Sequence, residues 1–517
     1  MKNAGYTFLR HELGLLVPPL GMDLAVGDSY DDRVVSYGQG KLKLLAKTKK
    51  VGKTPSEHIE TAIKYQGIRL AYLSPTFQAI NVDELTAYIK AKPTSEIRRC
   101  IWYLFEWLTG EELDLPNSKS AYTPLLDDEY YYTLSEGERH SRTRVINNMI
   151  GNREFCPVVR KTPEVVSWAR KDLVKVAIKQ LRGLNKYVNT EILGRSVSYL
   201  YTKETKSSTE IEREDAREEK TKKFFRVLKS SGTLPIDKAR LIFVQNQIVQ
   251  SAKKDSDYRK EEIYVGVTRM TSAGVDEDIH YIGPKWEQVP SMMSGLIDMH
   301  HALMLDAKVP SMIHAAIVSF GLVYIHPFSD GNGRTHRYLI HDVLKARRPE
   351  GEDFIIPVSA AILRRQKDYD RVLETLSRPL MAMLDYDLLE HDDCRVEINN
   401  DLHYLYRYPD LTPHVEFLYE MMRAAMDVDL MDEVLFILKF DALKGQINSS
   451  FDIPNTKLDL MVRLLLSNDG RVSNRKKRIF NQFLADEEIP ALEDMAVEQI
   501  AVYDQMAQEI NDAMAKD

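Results

Sequence analysis

Residues His326 to Arg337 read HPFSDGNGRTHR. The run sits between two helical patterns. Upstream, Pro310 to Tyr324 puts Ile313, Ile317, Phe320 and Tyr324 on one helical face, with Pro310 suited to the first turn. His326-Pro327 ends that helix, because the residue before a proline is pushed out of the α region. From Thr335 to Arg348 the pattern is helical again, and RRPEG stops it. The loop holds an unusual set of groups. His326 can accept a proton near neutral pH, its ordinary pKa being about 6.5. Asp330 is a carboxylate of the kind that holds magnesium beside phosphates. Gly331, Asn332 and Gly333 can present successive backbone amides to an anion at a helix start. Arg334 and Arg337 share a helix face, and guanidinium groups bind phosphate bidentately. A base, a carboxylate, an amide nest and two arginines suit a polyphosphate ester held beside a hydroxyl nucleophile.

Outward from the loop the chain reads as mainly α. Glu261 to Tyr281 is the exception: IYVGV, a Gly-containing turn and IHYI spell a β-hairpin. Helices are expected over Lys238–Ala252 and Ser359–Leu376. In the N-terminal part, Thr94 or Ser95 caps a helix in which Ile97, Ile101, Leu104 and Leu108 line one face and Gly110 ends it. Another helix is expected over Glu164–Leu181. Lys203 to Lys223 is densely charged and reads as a solvated helix. Helices over Val415–Asp427, Asp429–Gly445 and Thr456–Leu466 make a C-terminal module. That module contains the basic run RVSNRKKR, Arg471 to Arg478. The chain thus divides into an N-terminal mostly helical domain (1–194), a core (195–390) and a C-terminal helical module (391–517) expected to select partners.

Composition narrows the partners. The 517 residues are 44% hydrophobic and 28% charged, an ordinary globular balance. A net charge of −7 argues against indiscriminate nucleic-acid binding. Cys100, Cys156 and Cys394 are far apart and odd in number, so they suggest a reducing compartment rather than a disulfide frame. The N-terminus lacks the pattern of a signal peptide, and no apolar run is long enough to span a membrane. A cytoplasmic location follows by exclusion.

The run His326, Pro327, Phe328, Asp330, Gly331, Asn332, Gly333, Arg334 and Arg337 resembles the signature HPFx(D/E)GNGRxxR of the Fic family. FGLVYIHPF is similar to the family's helix entering the loop, and SAAILRRQKDYDRVLE to its helix after the motif, with Asp370 where a second aromatic is expected. The resemblance covers roughly residues 195 to 385 and implies a Fic-type helical core with a β-hairpin flap. It implies protein adenylyltransferase activity, with ATP and Mg²⁺ as nucleotide and metal. His326 would deprotonate a Ser, Thr or Tyr hydroxyl that attacks the α-phosphorus. Asp330 would hold Mg²⁺. Gly331, Asn332 and Gly333, with Arg334 and Arg337, would bind the phosphates, Asn332 being a further donor to the reacting group. The target protein would dock along the flap, about 261–282.

The resemblance also implies self-restraint. Many members carry an (S/T)xxxE(G/N) motif whose glutamate pairs with the second arginine of the signature. Ser208, Ile211 and Glu212 fit that pattern, and Arg213 stands where the family favours glycine or asparagine. Other readings stay open at this point: removal of AMP from a modified protein, a different nucleotide donor, a homo-oligomer, or a regulatory protein using RVSNRKKR on nucleic acid.

Overall fold

In the computed structural model the described residues are 2–37, 40–173, 175–177, 190–214, 218–271, 274–348, 355–389 and 395–514. Cys394 and the end of the helix expected at Glu164–Leu181 lie outside them. Among the described residues helices dominate, with four small sheets.

The elements around the loop form in the order α1 (Lys238–Ile248), β1 (Tyr264–Thr271), β2 (Gly274–Ile282), α2 (Val289–Leu305), α3 (Ser311–Ile325), α4 (Asn332–Ala346) and α5 (Gln366–Met381). α3 is buried from Met312 to Ile325 on every face, not on one. Its sequence explains this, since apolar residues surround the whole helix. The two polar side chains inside it are satisfied. Ser319 Oγ donates to Ala316 O at 3.2 Å, and His314 Nε2 lies 3.0 Å from His300 Nδ1. Pro310 is the N-cap of α3 rather than a first-turn residue. α4 begins at Asn332, earlier than the expected Thr335, because Gly331 turns the chain at φ +85°. α3 packs on α2 and α4, and α1 packs on α4. The hairpin forms, antiparallel from Tyr264↔Ile282 to Thr271↔Gly274, its strands running through most of the Gly-containing stretch expected as a long loop, and α5 packs against β2.

Two compact units emerge, and they do not follow the linear division at 194 and 390. One comprises Met1–Arg170, Ser230–Pro349 and Gln366–Tyr419; the other comprises Lys171–Lys229, Glu350–Arg365 and Glu420–Asp517. The single helix expected over Ser359–Leu376 is two, Val358–Arg364 and Gln366–Met381, broken at Arg365.

The first unit holds α1 to α5 and the hairpin. Its N-terminal part is less helical than expected. Strands Lys2–Asn3, Met22–Val26, Gly40–Leu45 and Arg33–Tyr37 form one sheet in that spatial order, with Met22–Val26 parallel to Gly40–Leu45. The stretch KLKLLAK therefore contributes a strand: Lys41 is exposed, while Leu44 and Leu45 are buried. The expected helix over Glu96–Thr109 is present, with Gly110 left-handed at its end.

The second unit contains helices Thr190–Ile211, Glu218–Lys229, Val358–Arg364, Met431–Ser450, Asn455–Leu466 and Ile489–Met514. Leu443, Ile447, Leu458, Met461, Leu465, Phe480 and Leu492 form one of its cores. Asp429, almost fully buried, is held by Arg364 at 2.5 Å and Lys203 at 3.1 Å. In the basic run, Arg471 pairs with Glu493 at 3.2 Å and Lys477 with Asp486 at 3.2 Å. Acidic neighbours within the same unit thus answer part of that charge.

Candidate active site

α3 delivers the chain to the loop at His326. The His326 N–H still bonds Leu322 O at 2.8 Å, but its backbone is left-handed, φ 51° and ψ 59°. A non-glycine residue there costs about 1–2 kcal/mol and persists only where its surroundings fix it. Arg259 supplies the fixation. Its backbone N–H donates to Pro327 O at 2.9 Å, and its Nε donates to His326 O at 2.8 Å. Nη1 donates to Glu261 O at 2.7 Å and Nη2 to Pro284 O, so one buried guanidinium ties the loop to both ends of the hairpin.

The His326 ring is half-buried. Nδ1 lies 2.9 Å from Val323 O. A carbonyl only accepts, so this contact assigns the proton to Nδ1 and makes Nε2 the accepting nitrogen. The Tyr281 ring, at the end of β2, lies 6.2 Å from the imidazole. Its hydroxyl donates to Tyr324 O, and burial raises its pKa well above the ordinary value, so it stays a donor.

Four residues on, Asp330 Oδ1 accepts from the Gly331 N–H at 2.6 Å and lies 3.6 Å from Arg334 Nη2. Its Oδ2 is buried and lacks an aligned hydrogen bond, although Lys253 Nζ is 2.7 Å away. The contact is a close ion pair, poorly aligned as a hydrogen bond. Gly331 is the N-cap of α4 and makes no side-chain cap. The first intrahelical bond runs from Thr335 N–H to Gly331 O at 2.9 Å. The helix itself therefore does not use the amides of Asn332 and Gly333.

The Asn332 side chain is engaged within the loop. Its Oδ1 accepts from Phe328 N–H at 3.0 Å, and its Nδ2 donates to Phe328 O at 2.7 Å. The side chain, 2% exposed, closes the loop on itself and acts as a positioning group. Arg334 is equally buried, with Nη1 donating to Ile248 O at 3.3 Å. Arg337, one turn further along α4, is fully buried.

Ser208 and Glu212 belong to the other unit. Ser208 is buried in helix Thr190–Ile211, whereas Glu212 is exposed in the turn just after it. The expected placement of both on one helical face is thus shortened by one residue. Arg213 takes φ +56°, a conformation that glycine or asparagine adopts more readily.

Sequence reading missed the groups that hold the loop from behind. Gln245, fully buried on α1, donates from Nε2 to Asp330 O at 3.1 Å and to Asp255 Oδ2 at 3.2 Å. Asp255 in turn accepts from Ser329 N–H at 2.9 Å and from Ser329 Oγ at 3.0 Å. Lys253, Asp255 and Arg259 all lie in KKDSDYR, a charged run just before the hairpin, and that placement was the only available signal.

These residues fit a magnesium-bound nucleotide. Asp330 pairs with the Lys253 ammonium, and the α4 amides begin two residues later. Among the described residues no group of three or more His, Cys, Asp or Glu could hold a metal alone. Magnesium commonly rests on one or two carboxylates plus phosphate oxygens and water, which is the donor set available here. Among the described residues no helix is long and apolar enough to cross a membrane.

Residues 235–344 match the Fic/DOC family. The chain is 29% identical over 133 residues to the "Protein adenylyltransferase Fic" of Nematostella vectensis, covering 23% of this chain and 29% of that one. It is 37% identical over 95 residues to the protein of the same name from Aedes aegypti, covering 17% of each. The chain thus spans less than a third of the length of these curated relatives. A crystal structure of a Fic domain containing signalling protein from Bacteroides thetaiotaomicron aligns at TM-score 0.34 and 16% identity, over 51% of this chain and 97% of that one. One of a Fic family protein from Desulfovibrio desulfuricans aligns at TM-score 0.33 and 15% identity, over 65% and 90%. The loop between α3 and α4, with the helices that hold it, thus lies in the segment that matches the Fic/DOC family.

Proposed function

We propose that this chain transfers AMP from ATP to a serine, threonine or tyrosine hydroxyl of a target protein, releasing pyrophosphate. One observation carries the reading most directly. Nδ1 of His326 is committed to Val323 O, so Nε2 is poised to accept a proton a few residues from an anion-binding helix start. In the step, the hydroxyl oxygen bonds the α-phosphorus and its proton passes to Nε2. The bond from the α-phosphorus to the bridging oxygen breaks, and pyrophosphate leaves. Asn332 and Arg259 hold the loop rigid, and the first-turn amides of α4 offer donors to phosphate oxygens. Asp330 would hold Mg²⁺, which supplies charge neutralisation at the phosphates. The hairpin is a two-stranded sheet, so an extended target segment could add along it by main-chain hydrogen bonds.

Glu212 is proposed as the restraining carboxylate. Support comes from the Ser208/Glu212 pattern and from the left-handed backbone at Arg213, the conformation that the family's preferred residue would favour.

The test is incubation of the chain with cell lysate and ATP labelled at either the α- or the γ-phosphate. Protein labelling is expected from the α-label only, and it should vanish in His326→Ala. Labelling from the γ-phosphate that exceeds the lysate alone and is lost in His326→Ala would instead make the chain a kinase and end this reading.

A further inference from the structure

We propose that a cavity beside the hairpin base, separate from the His326 loop, binds a small one-ring carboxylic acid. The cavity measures about 210 Å³ and lies wholly within the first unit. Tyr281 forms part of its wall, and His326 does not. Sites for drug-sized ligands span roughly 300–1,000 Å³, so this one suits a smaller occupant and is too small for a nucleotide.

The lining sets the chemistry. Tyr72, Tyr281, Tyr406, Leu376 and Pro379 give an aromatic and apolar body suited to a ring. The charged walls are Arg69, Arg160 and Asp410. Asp410 Oδ2 lies 3.0 Å from Arg160 Nη2 and 3.8 Å from Arg69 Nη1. Its Oδ1 already accepts from Thr412 N–H at 3.1 Å and Thr412 Oγ1 at 2.6 Å. Two guanidinium groups therefore share one carboxylate, and one positive charge is left over. Among the described residues Nε of Arg69 and Nε of Arg160 have no hydrogen-bond partner, but both are buried away from the cavity, so an anion would meet the exposed ends of the two guanidinium groups. The surplus matches a monoanion, so a carboxylate fits better than a dianionic phosphate ester. The side chains of Arg69, Arg160 and Asp410 remain 31%, 43% and 27% exposed, so the polar end is the mouth and the ring would enter first or lie inward.

The experiment titrates the full chain with 3-phenylpropionate and, separately, with its neutral amide, by calorimetry and ligand-detected NMR. It needs no assumption about the reaction at His326. The acid is expected to bind at least about tenfold more tightly than the amide, the effect of one charge-assisted hydrogen bond. Arg69→Gln and Arg160→Gln should each weaken the acid about tenfold, whereas Arg139→Gln, on a separate strand, should not. Thermal melting checks that each variant is folded. If an arginine variant fails to fold, Leu376→Phe, which fills the cavity without touching the charged mouth, must abolish binding. Equal binding of acid and amide overturns the proposal. So does binding that survives both arginine variants or Leu376→Phe, or no binding of the acid to the folded wild type.

Discussion

Lys253 Nζ stands 2.7 Å from Asp330 Oδ2. A monovalent cation thus sits on one oxygen of the carboxylate proposed to hold magnesium. The Lys253 side chain is 54% exposed and its Asp330 partner 25%, so the ammonium can withdraw into water at little cost.

This pair predicts competition. Lys253→Met should lower the magnesium concentration giving half-maximal AMP transfer by up to about fivefold, since an exposed pair is worth ~0.2–1 kcal/mol. Asp330→Asn should raise it. Rate measured against magnesium, together with direct Mn²⁺ binding followed by electron paramagnetic resonance, checks both. Identical metal curves in all three proteins would remove Asp330 from the metal role.

His326→Ala should cut transfer by about 10²–10⁴-fold while leaving ATP affinity unchanged. The reason is that Nδ1 is used by Val323 O, which leaves Nε2 as the nitrogen that would take the nucleophile's proton. Calorimetric ATP titration beside the transfer assay separates the two effects. Full transfer by the folded variant would refute the assignment.

Gly331→Ala tests the loop geometry. Gly331 has φ +85°, and an added Cβ would sit 2.6 Å from Val249 Cγ1. The left-handed backbone costs about 1–2 kcal/mol and the crowding about 1–3 more. Adding Val249→Ala should recover only the crowding part. Urea unfolding of the single and double variants measures this, and a single variant as stable as wild type would contradict the geometry.

Arg213→Gly should stabilise the turn after helix Thr190–Ile211 by about 0.5–1 kcal/mol, because relief of the φ +56° backbone exceeds the entropic cost of glycine. Glu212→Gly should raise transfer. Glu212 is exposed, so its own melting shift should stay near ±0.5 kcal/mol. A folded Glu212→Gly protein with no gain in transfer would leave the restraint without support.

Buried histidines predict acid sensitivity. Burial lowers His336 and His414 to about 3 and His300 to about 4. In the fold they stay neutral; in the unfolded chain they take up protons below about 6.5. The unfolded state therefore binds more protons as pH falls, and stability drops between about 6.5 and 4, by up to ~1.4 kcal/mol per pH unit for each histidine. Asp342 and Glu262, raised by burial, act in the opposite sense at the lower end of that window. The urea midpoint should fall from pH 7 to pH 5, less steeply in His300→Gln. A flat profile would count against burial as the cause.

Short-range chemistry was legible in the sequence. HPFSDGNGRTHR revealed the loop, because a histidine before proline and glycines before a helix start dictate local backbone. IYVGV and IHYI revealed the hairpin through residue type, and Gly110 the end of a helix through its freedom at positive φ. Packing between distant segments was not legible. The N-terminal sheet pairs Met22–Val26 with Gly40–Leu45 in parallel, and no local turn encodes that pairing. Gln245, Lys253, Asp255 and Arg259 reach the loop from tens of residues upstream, guided only by where buried donors and acceptors can meet. The same logic seats Asn332 on Phe328, and it brings Arg69, Arg160 and Asp410 to one cavity mouth. The sequence determined which groups the chain owns and how each short segment bends. The tertiary structure decided which of them meet, because desolvating a polar group is tolerated only where another segment supplies its partner.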